Sequence, residues 1–401
     1  MITRVFTAFQ YRDFRVIWCG ACVSSIGTWM QKLAQSWLVL QLSDSAFLLG
    51  LDAFLGEIPI FLFSLIGGVI ADRVDRRILL IGGQALQMIC AFVLAALFFL
   101  DVVEVWHILC LSFVVGVAQA FGGPAYSALI PTLVKPRDLP NAIAMNSIQF
   151  NLARVIGPMV GGLALTKLGA VWCFALNGFS YLAVITSLAL IGVNFVPPKS
   201  KETIFESMKQ GISFIRRQGA MESLIALAFG ATLLGVPVIV FLPVFARDVF
   251  ERGPEVYTLL LSLSGAGSIV GALLVAAFGH GRHKGKVTLI GLMVLGLAIA
   301  GFAFFRNLVL SCVLLFIAGV ALIAVFALVT SLVQLITPDE MRGRVMSVYN
   351  VAFRGGMPIG SLATGSLTPL YGAPIVVGVA GVLLTAMGAL FLFGNRKLAS
   401  L

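Results

Sequence analysis

The chain has 401 residues, of which 60% are apolar and 11% charged, and its mean hydropathy is +1.04. Soluble domains contain about 45–50% apolar and about 25% charged residues, so this composition excludes a soluble globular protein and favours a lipid bilayer as the surroundings. A net charge of +10 indicates nucleic-acid binding only when basic residues cluster on a soluble domain, and we expect no nucleic-acid partner.

Apolar runs of about 20 residues, the length that a membrane span needs, recur along the whole chain. The predicted helices cover residues 14–40, 47–71, 78–100, 106–134, 141–166, 170–194, 221–246, 256–279, 287–305, 309–336, 344–368 and 373–394. The prediction is therefore an all-α polytopic membrane protein with twelve transmembrane helices. Its predicted domains are a six-helix bundle (1–194), a linker (195–220) and a second six-helix bundle (221–401).

Lysine and arginine residues predict the orientation of these helices, because cytoplasmic loops are enriched in them. Of the 27 basic residues, 20 fall on the side of the N-terminus, 4 on the opposite side and 3 within helices. We therefore expect both termini in the cytoplasm of a cell (inner) membrane protein.

Apart from Arg15 at the start of the first helix, the first two predicted helices contain three charged residues. Counted from the hairpin tip near residue 43, Lys32 and Asp52 lie at similar depth and could form an ion pair, whereas Glu57 lies deeper. Such residues are expensive in lipid and usually functional, although a static ion pair is an equally good explanation. We favour Glu57 as a proton-coupling group.

Polar residues recur at helical spacing in four of the predicted helices. The candidates for lining a transport cavity are Ser24, Thr28, Gln31, Gln35, Gln119, Asn151 and Asn350. Tight helix packing explains small residues in such stripes equally well. It does not explain Arg154 and Arg354 near mid-membrane, where an arginine costs about 2.5–3.5 kcal/mol, and both are candidates for a role in transport.

The linker contains an amphipathic segment that begins with a predicted capping box formed by Thr203 and Glu206. Its apolar positions share one helical face, which indicates either a helix on the cytoplasmic leaflet or a plain connecting helix.

An internal repeat relates the two predicted bundles. Asn151, Arg154 and Pro158 recur as Asn350, Arg354 and Pro358, and Gly169-Ala170 recurs as Gly372-Ala373. The repeat indicates a duplicated six-helix unit.

The loop after the second helix resembles a signature of the major facilitator superfamily. It contains Gly68, Asp72, Arg73, Asp75, Arg76 and Arg77, with Asp75 where the family has glycine. In that family the loop forms a cytoplasmic latch between the two halves. This implies a latch role for Gly68, Asp72, Arg73, Arg76 and Arg77.

The fifth helix contains Gly157, Pro158, Gly161 and Gly162, which is similar to the antiporter signature of the same superfamily. Longer stretches of the N-terminal half resemble its transmembrane secretion effectors, including enterobactin-exporter-like and macrolide-efflux-like proteins. The resemblance implies a secondary transporter that exports a small organic molecule by alternating access, with protons as the coupling ion. It also implies that the second helix lies beside the eleventh, so that Glu57 could pair with Arg354 in one state.

An uptake permease of the same fold and a non-transporting scaffold or sensor are the alternatives. With three histidines and no phosphate-binding loop, we expect no enzyme, no cofactor and no metal site. We expect a monomer whose partners are its substrate, protons and the bilayer.

Overall fold

The computed structural model describes residues 6–192, 204–278, 283–394 and 398, but not the side chains of residues 65, 69, 71, 72 and 204–208. The described residues contain twelve long helices, which confirms the predicted all-α fold. They are α1 (Arg12–Ser43), α2 (Ala46–Arg73), α3 (Arg76–Phe99), α4 (Val105–Leu129), α5 (Leu139–Lys167), α6 (Ala170–Leu190), α7 (Gly219–Val249), α8 (Pro254–Phe278), α9 (Lys284–Phe304), α10 (Leu308–Ile336), α11 (Asp339–Tyr371) and α12 (Ala373–Gly394).

Two of these helices are more polar than the rest. Within the described residues, ten helices are both long enough and apolar enough to cross a bilayer. The other two, α1 and α11, are the longest at 32 and 33 residues. Both carry the polar stripes that the sequence shows, which explains their lower hydropathy.

The chain forms two compact units. The first comprises Met1–Asp44 and Leu55–Ser200, and the second comprises Ser45–Phe54 and Lys201–Leu401. The beginning of α2 thus packs with the second unit, where a Cβ atom added to Gly50 would lie 3.0 Å from Gly365 Cα of α11. We call the helical parts of these units the first and the second bundle.

Both bundles use the same pattern of helix neighbours. In the first bundle α1 packs against α5 and α6, and α3 packs against α4 and α6. In the second bundle α7 packs against α11 and α12, and α9 packs against α10 and α12. This correspondence is what a duplicated six-helix unit predicts.

Gly169 and Gly372 mark the same point of the repeat. Each follows its long helix, α5 or α11, and directly precedes the next helix. Their φ angles of 91° and 82° lie in a region that side chains disfavour and glycine adopts readily. A backbone requirement therefore explains why glycine stands at both positions.

The first bundle is closed at one end by the segment that precedes α1. A 3-10 turn at Thr7–Gln10 is followed by Tyr11, whose hydroxyl donates to Asp138 Oδ2 at 2.6 Å. Trp18 Nε1 donates to the Met145 carbonyl at 2.9 Å. Buried apolar residues from α1, α3, α4, α5 and α6 pack beneath this segment, so the start of α5 is fixed by hydrogen bonds and by apolar burial.

A linker helix at Ile204–Arg216 packs against the start of α11 in the second bundle. A Cβ atom added to Gly211 would lie 2.7 Å from the Arg344 carbonyl, and Ile215 is buried. Lys209 and Arg216 are exposed. The predicted capping box lies outside the described residues, because it needs Thr203 and the Glu206 side chain.

Helix α7 departs from regular α-helical geometry at two places. Wider π-helical turns at Ala231–Gly235 and Phe245–Val249 flank Pro237–Val244. Such turns are rare and arise where the regular hydrogen-bond pattern is interrupted, here beside Pro237 and Pro243, which lack a backbone N–H.

Candidate functional site

A hydrogen-bonded layer of polar side chains crosses the interior of the first bundle. Asn177 Nδ2 on α6 donates to Gln31 Oε1 on α1 at 2.6 Å, and both side chains are buried. Gln35 Nε2 on α1 donates to Ser112 Oγ on α4 at 2.8 Å. These amides satisfy one another, which removes most of the cost of burying polar groups.

The same layer continues to α3 through Tyr181. Its hydroxyl lies 3.5 Å from Gln87 Oε1 and 3.4 Å from Thr28 Oγ1. Thr28 also donates to the Ser24 carbonyl one turn earlier at 2.9 Å. Three predicted cavity residues of α1, Thr28, Gln31 and Gln35, therefore turn their side chains towards partners within their own bundle.

A charged cluster lies next to this layer. Lys32 Nζ is 3.7 Å from Glu57 Oε1, with side chains 48% and 21% exposed. The sequence suggested Asp52 as the partner of Lys32 and left Glu57 for Arg354, whereas the structure pairs Lys32 with Glu57. Asp52 is buried in the part of α2 that packs with the second bundle, and a pair between Asp52 and Lys32 stays a prediction.

Arg154 is buried at the contact between α5 and α1. Its side chain is only 8% exposed, and Arg154 Cζ lies 5.7 Å from the centre of the Trp29 ring. The ring is also packed edge to face against Phe150. Among the described residues, the buried Arg154 Nε atom has no hydrogen-bond partner.

Small residues bring α5 close enough to α1 for this contact. A Cβ atom added to Gly157 would collide with the Trp29 side chain, and one on Gly161 would lie 3.0 Å from Met30 Cα. Gly162 and Pro158 are buried on the same helix. The structure thus gives the glycines of the antiporter-like motif a packing role beside Arg154.

Within the described part of the chain, the other predicted cavity residues form local side-chain hydrogen bonds or none. Asn151 Nδ2 donates to the Ser147 carbonyl one turn earlier at 2.8 Å, and Ser24 is buried. Gln119 is partly buried. In the second bundle, Asn350 and Arg354 of α11 are exposed.

The loop between α2 and α3 fixes neighbouring helix ends within the first bundle. Asp75 caps α3 by accepting from the Arg77 backbone N–H at 2.9 Å. Arg76 Nη1 donates to the Ala128 carbonyl near the end of α4, and Arg77 Nη2 donates to the Ala189 carbonyl near the end of α6. Cations are favourable at helix C-termini, where carbonyl groups lack partners.

The structure describes only some of the residues that the sequence predicts to form the cytoplasmic latch. The Asp72 side chain lies outside the described residues, and Arg73 is exposed. A Cβ atom added to Gly68 would meet nothing within 4 Å, whereas one on Gly67 would clash with the Ala120 carbonyl of α4. Close helix packing therefore requires glycine at position 67, one residue before the motif glycine.

Sequence reasoning missed four residues of this site. Trp29, Gln87, Asn177 and Tyr181 hold the charged cluster or the polar layer together. Asn177 did carry a signal, since it is an amide within the apolar run 170–194. Trp29 carried none, because a tryptophan in an apolar helix is ordinary.

Comparison with known proteins places the whole chain in one family. The family described as transmembrane secretion effectors, of the major facilitator type, matches residues 3–399. The chain is 28% identical over 393 residues to the multidrug efflux pump Tap of Mycolicibacterium fortuitum, covering 94% of this chain and 95% of Tap. It is 26% identical over 381 residues to the enterobactin exporter EntS of Shigella boydii serotype 4, covering 94% of this chain and 91% of EntS.

The fold is shared with solved transporters of distant sequence. The crystal structure of the nucleoside transporter NupG superimposes with a TM-score of 0.74 at 15% sequence identity, covering 96% of this chain and 99% of NupG. At this identity the likeness concerns the fold alone.

Proposed function

The chain belongs to the transmembrane secretion effectors, a family of major facilitator transporters, and from this premise we propose that it exports a small organic molecule by alternating access. The names of its relatives, a multidrug efflux pump and an enterobactin exporter, support export over uptake. The observation in the structure that carries a transport role is the pairing of Lys32 on α1 with Glu57 on α2.

Protons are the coupling ion in this proposal, and Glu57 is the group that binds them. The Glu57 carboxylate lies 3.7 Å from the Lys32 ammonium group, and a proton added to the carboxylate would remove the attraction between the two charges. Proton binding would therefore release Lys32 and change the relative stability of two transporter states. Ionisable residues within spanning helices commonly mark such proton pathways.

The sequence also predicts Arg354 as a second partner for Glu57 during the cycle. That pair stays a prediction. It is supported by the position of Arg354 on α11, where the side chain is exposed and therefore available to another group.

The membrane placement follows the distribution of charge in the sequence. The side rich in lysine and arginine would face the cytoplasm, which would place both termini there, in the inner membrane. The chain would act as a monomer, since each bundle buries its own core.

Vesicle transport tests the coupling. Wild type and Glu57→Gln are reconstituted into vesicles, and efflux of compounds from a panel of siderophores, macrolides and dyes is followed under an imposed proton gradient. We expect the wild-type rate to follow the gradient and the Glu57→Gln rate to be independent of it. Asp52→Asn, which changes the carboxylate five residues earlier on α2, should keep the dependence.

An identical response of wild type and Glu57→Gln to the gradient would exclude Glu57 as the coupling group. If no compound moves in the wild type, export itself is wrong.

The loop between α2 and α3 would act as a cytoplasmic latch through Asp72. We expect Asp72→Asn to lower export at least tenfold while the protein still inserts into the membrane. Asp101→Asn, a matched change in the loop before α4, should leave export unchanged. Wild-type export by Asp72→Asn would remove the latch from the proposal.

A further inference from the structure

The indole ring of Trp29 contacts two cations in the first bundle. Lys32 Nζ lies 5.5 Å from the ring centre, and Arg154 Cζ lies 5.7 Å from it. Lys32 follows Trp29 by one turn of α1, whereas Arg154 reaches the ring from α5. Attraction to the ring face stabilises each cation, but the two positive charges repel each other.

The charge of this cluster is not balanced within the described part of the chain. Lys32 is paired with Glu57. Arg154 forms no ion pair with any described residue, and its guanidinium donates no hydrogen bond to one. Lys32, Glu57 and Arg154 together therefore carry one net positive charge.

A purely structural arginine would be expected to look different. Buried charges in proteins are normally paired and hydrogen-bonded, because an isolated one is costly to remove from water. Arg154 is 8% exposed and its Nε atom is buried without a partner. Arginine offers its N–H groups as a planar fork that a carboxylate fills with two parallel hydrogen bonds.

We propose that this cluster binds the carboxylate of the exported molecule, so that the substrates are small organic anions. Arg154 is the deep anchor for the carboxylate, and Trp29 provides an aromatic surface for the apolar body of the substrate. Lys32, which is half exposed, attracts the anion on entry. The proposal rests on the export function above and adds its substrate class.

Binding of three probes of equal size tests the proposal. They are 2-naphthoate, its neutral amide 2-naphthamide, and the cation 2-naphthylmethylammonium, each titrated calorimetrically into the purified full chain in lipid nanodiscs. We expect wild type to bind 2-naphthoate at least tenfold more tightly than the amide, and the cation most weakly. Arg154→Gln should reduce the preference for the carboxylate to less than threefold.

Matched variants distinguish binding at Arg154 and Lys32 from a general effect of the protein's positive charge. Arg306→Gln removes one positive charge from the exposed loop between α9 and α10 and should keep the wild-type preference. Lys32→Gln should lower it in part, and Arg154→Lys should retain part of it. If Arg154→Gln does not fold, the preference for the carboxylate in Lys32→Gln and Arg154→Lys tests the proposal.

Equal binding of the three probes to wild type, no binding of 2-naphthoate, or an unchanged preference in the Arg154 variants would overturn the proposal. Vesicle transport distinguishes a failure of this proposal from a failure of the proposed export function. Export that shows no preference for anions would overturn the substrate class and leave the exporter. Binding of 2-naphthoate without transport of any compound would support the site and contradict export.

Discussion

The two bundles repeat one pattern of helix packing but bury different kinds of residue. In the first, side chains from α1, α3, α4 and α6 form a connected polar layer beside a buried arginine. In the second, Ser268, Thr232 and Thr364 are buried, and the first two donate to carbonyls of their own helices. The same scaffold thus supports a layer of amides hydrogen-bonded between helices in one half, whereas the buried polar groups of the other half are mostly hydroxyls, several of which donate to their own helices.

The matched arginines show how this difference arises. On α5, Arg154 precedes Gly157, the glycine that contacts α1, by three residues, so both lie on one helical face. On α11, Arg354 precedes Gly356, the glycine that contacts α7, by two residues. Positions two apart do not face the same neighbour. Arg154 is therefore buried against α1, whereas Arg354 is exposed.

A shift of one residue in the contact glycine is enough to change the surroundings of a charge. The helix turns by about 100° per residue, so the shift rotates the arginine from the packed face to an open one. Sequence duplication has kept the arginine and the proline in both halves. The packing has given the two arginines different environments, and with them the possibility of different roles.

Overpacking the glycine contacts is the most severe way to test whether the two bundles share their packing. We expect Gly161→Leu and Gly360→Leu each to destabilise the protein by about 3 kcal/mol and to abolish export. The added atoms would meet the backbone of Met30 in one bundle and of Leu233 in the other. Thermal unfolding in detergent and vesicle efflux are the measurements.

Gly122→Leu is the control, because a Cβ atom at that position meets nothing within 4 Å. It should retain wild-type stability. A loss confined to one of the two bundles would show that the shared packing is not equally important in both.

Breaking one hydrogen bond in each bundle sharpens the contrast between the two interiors. Asn177→Leu keeps the volume but leaves Gln31 Oε1 without its donor, which should cost about 1–3 kcal/mol. Tyr349→Phe removes the hydroxyl that contacts Thr330, yet Thr330 still donates to the Phe326 carbonyl. The loss of this hydroxyl should therefore cost at most about 1 kcal/mol.

Thermal unfolding of the two variants under the same conditions gives the comparison. An equal or larger loss of stability in Tyr349→Phe would show that the polar layer of the first bundle is not the more cooperative one.

The smallest expected effect concerns helix caps, one in each bundle. Asp75→Ala and Asn307→Ala remove side chains that accept from the backbone of α3 and α10, and each should cost about 1 kcal/mol. Asp75→Asn retains an acceptor and should cost less than Asp75→Ala. An Asp75→Asn loss as large as that of alanine would mean that the charge, rather than the cap, is important.

Much of the fold could be predicted from the sequence, because membrane spans depend on length and hydropathy alone. Span α10 was predicted at 309–336 and observed at Leu308–Ile336. The predicted end of α4 at 134 was too late, since the α-helix ends at Leu129 and a 3-10 turn at Ile130–Thr132 follows. Residues in a 3-10 turn can be as apolar as those in an α-helix, so hydropathy alone does not show where the α-helix ends.

The partners within the site were harder to predict. Helical spacing identified the stripe of Thr28, Gln31 and Gln35, but spacing within one helix does not show which neighbouring helix the stripe faces. Helical spacing also made Arg154 and Arg354 equally good candidates for a role in transport. Their difference depends on glycine contacts between helices, which a single sequence does not show.

Thiol labelling of the two arginine positions tests the difference between the bundles most directly. The six native cysteines are replaced, and Arg154→Cys and Arg354→Cys are compared for their reaction with a hydrophilic maleimide in detergent. Residue 354 should react at least tenfold faster than residue 154, because one side chain is exposed and the other is buried against α1. Equal rates, or faster labelling at residue 154, would contradict the account.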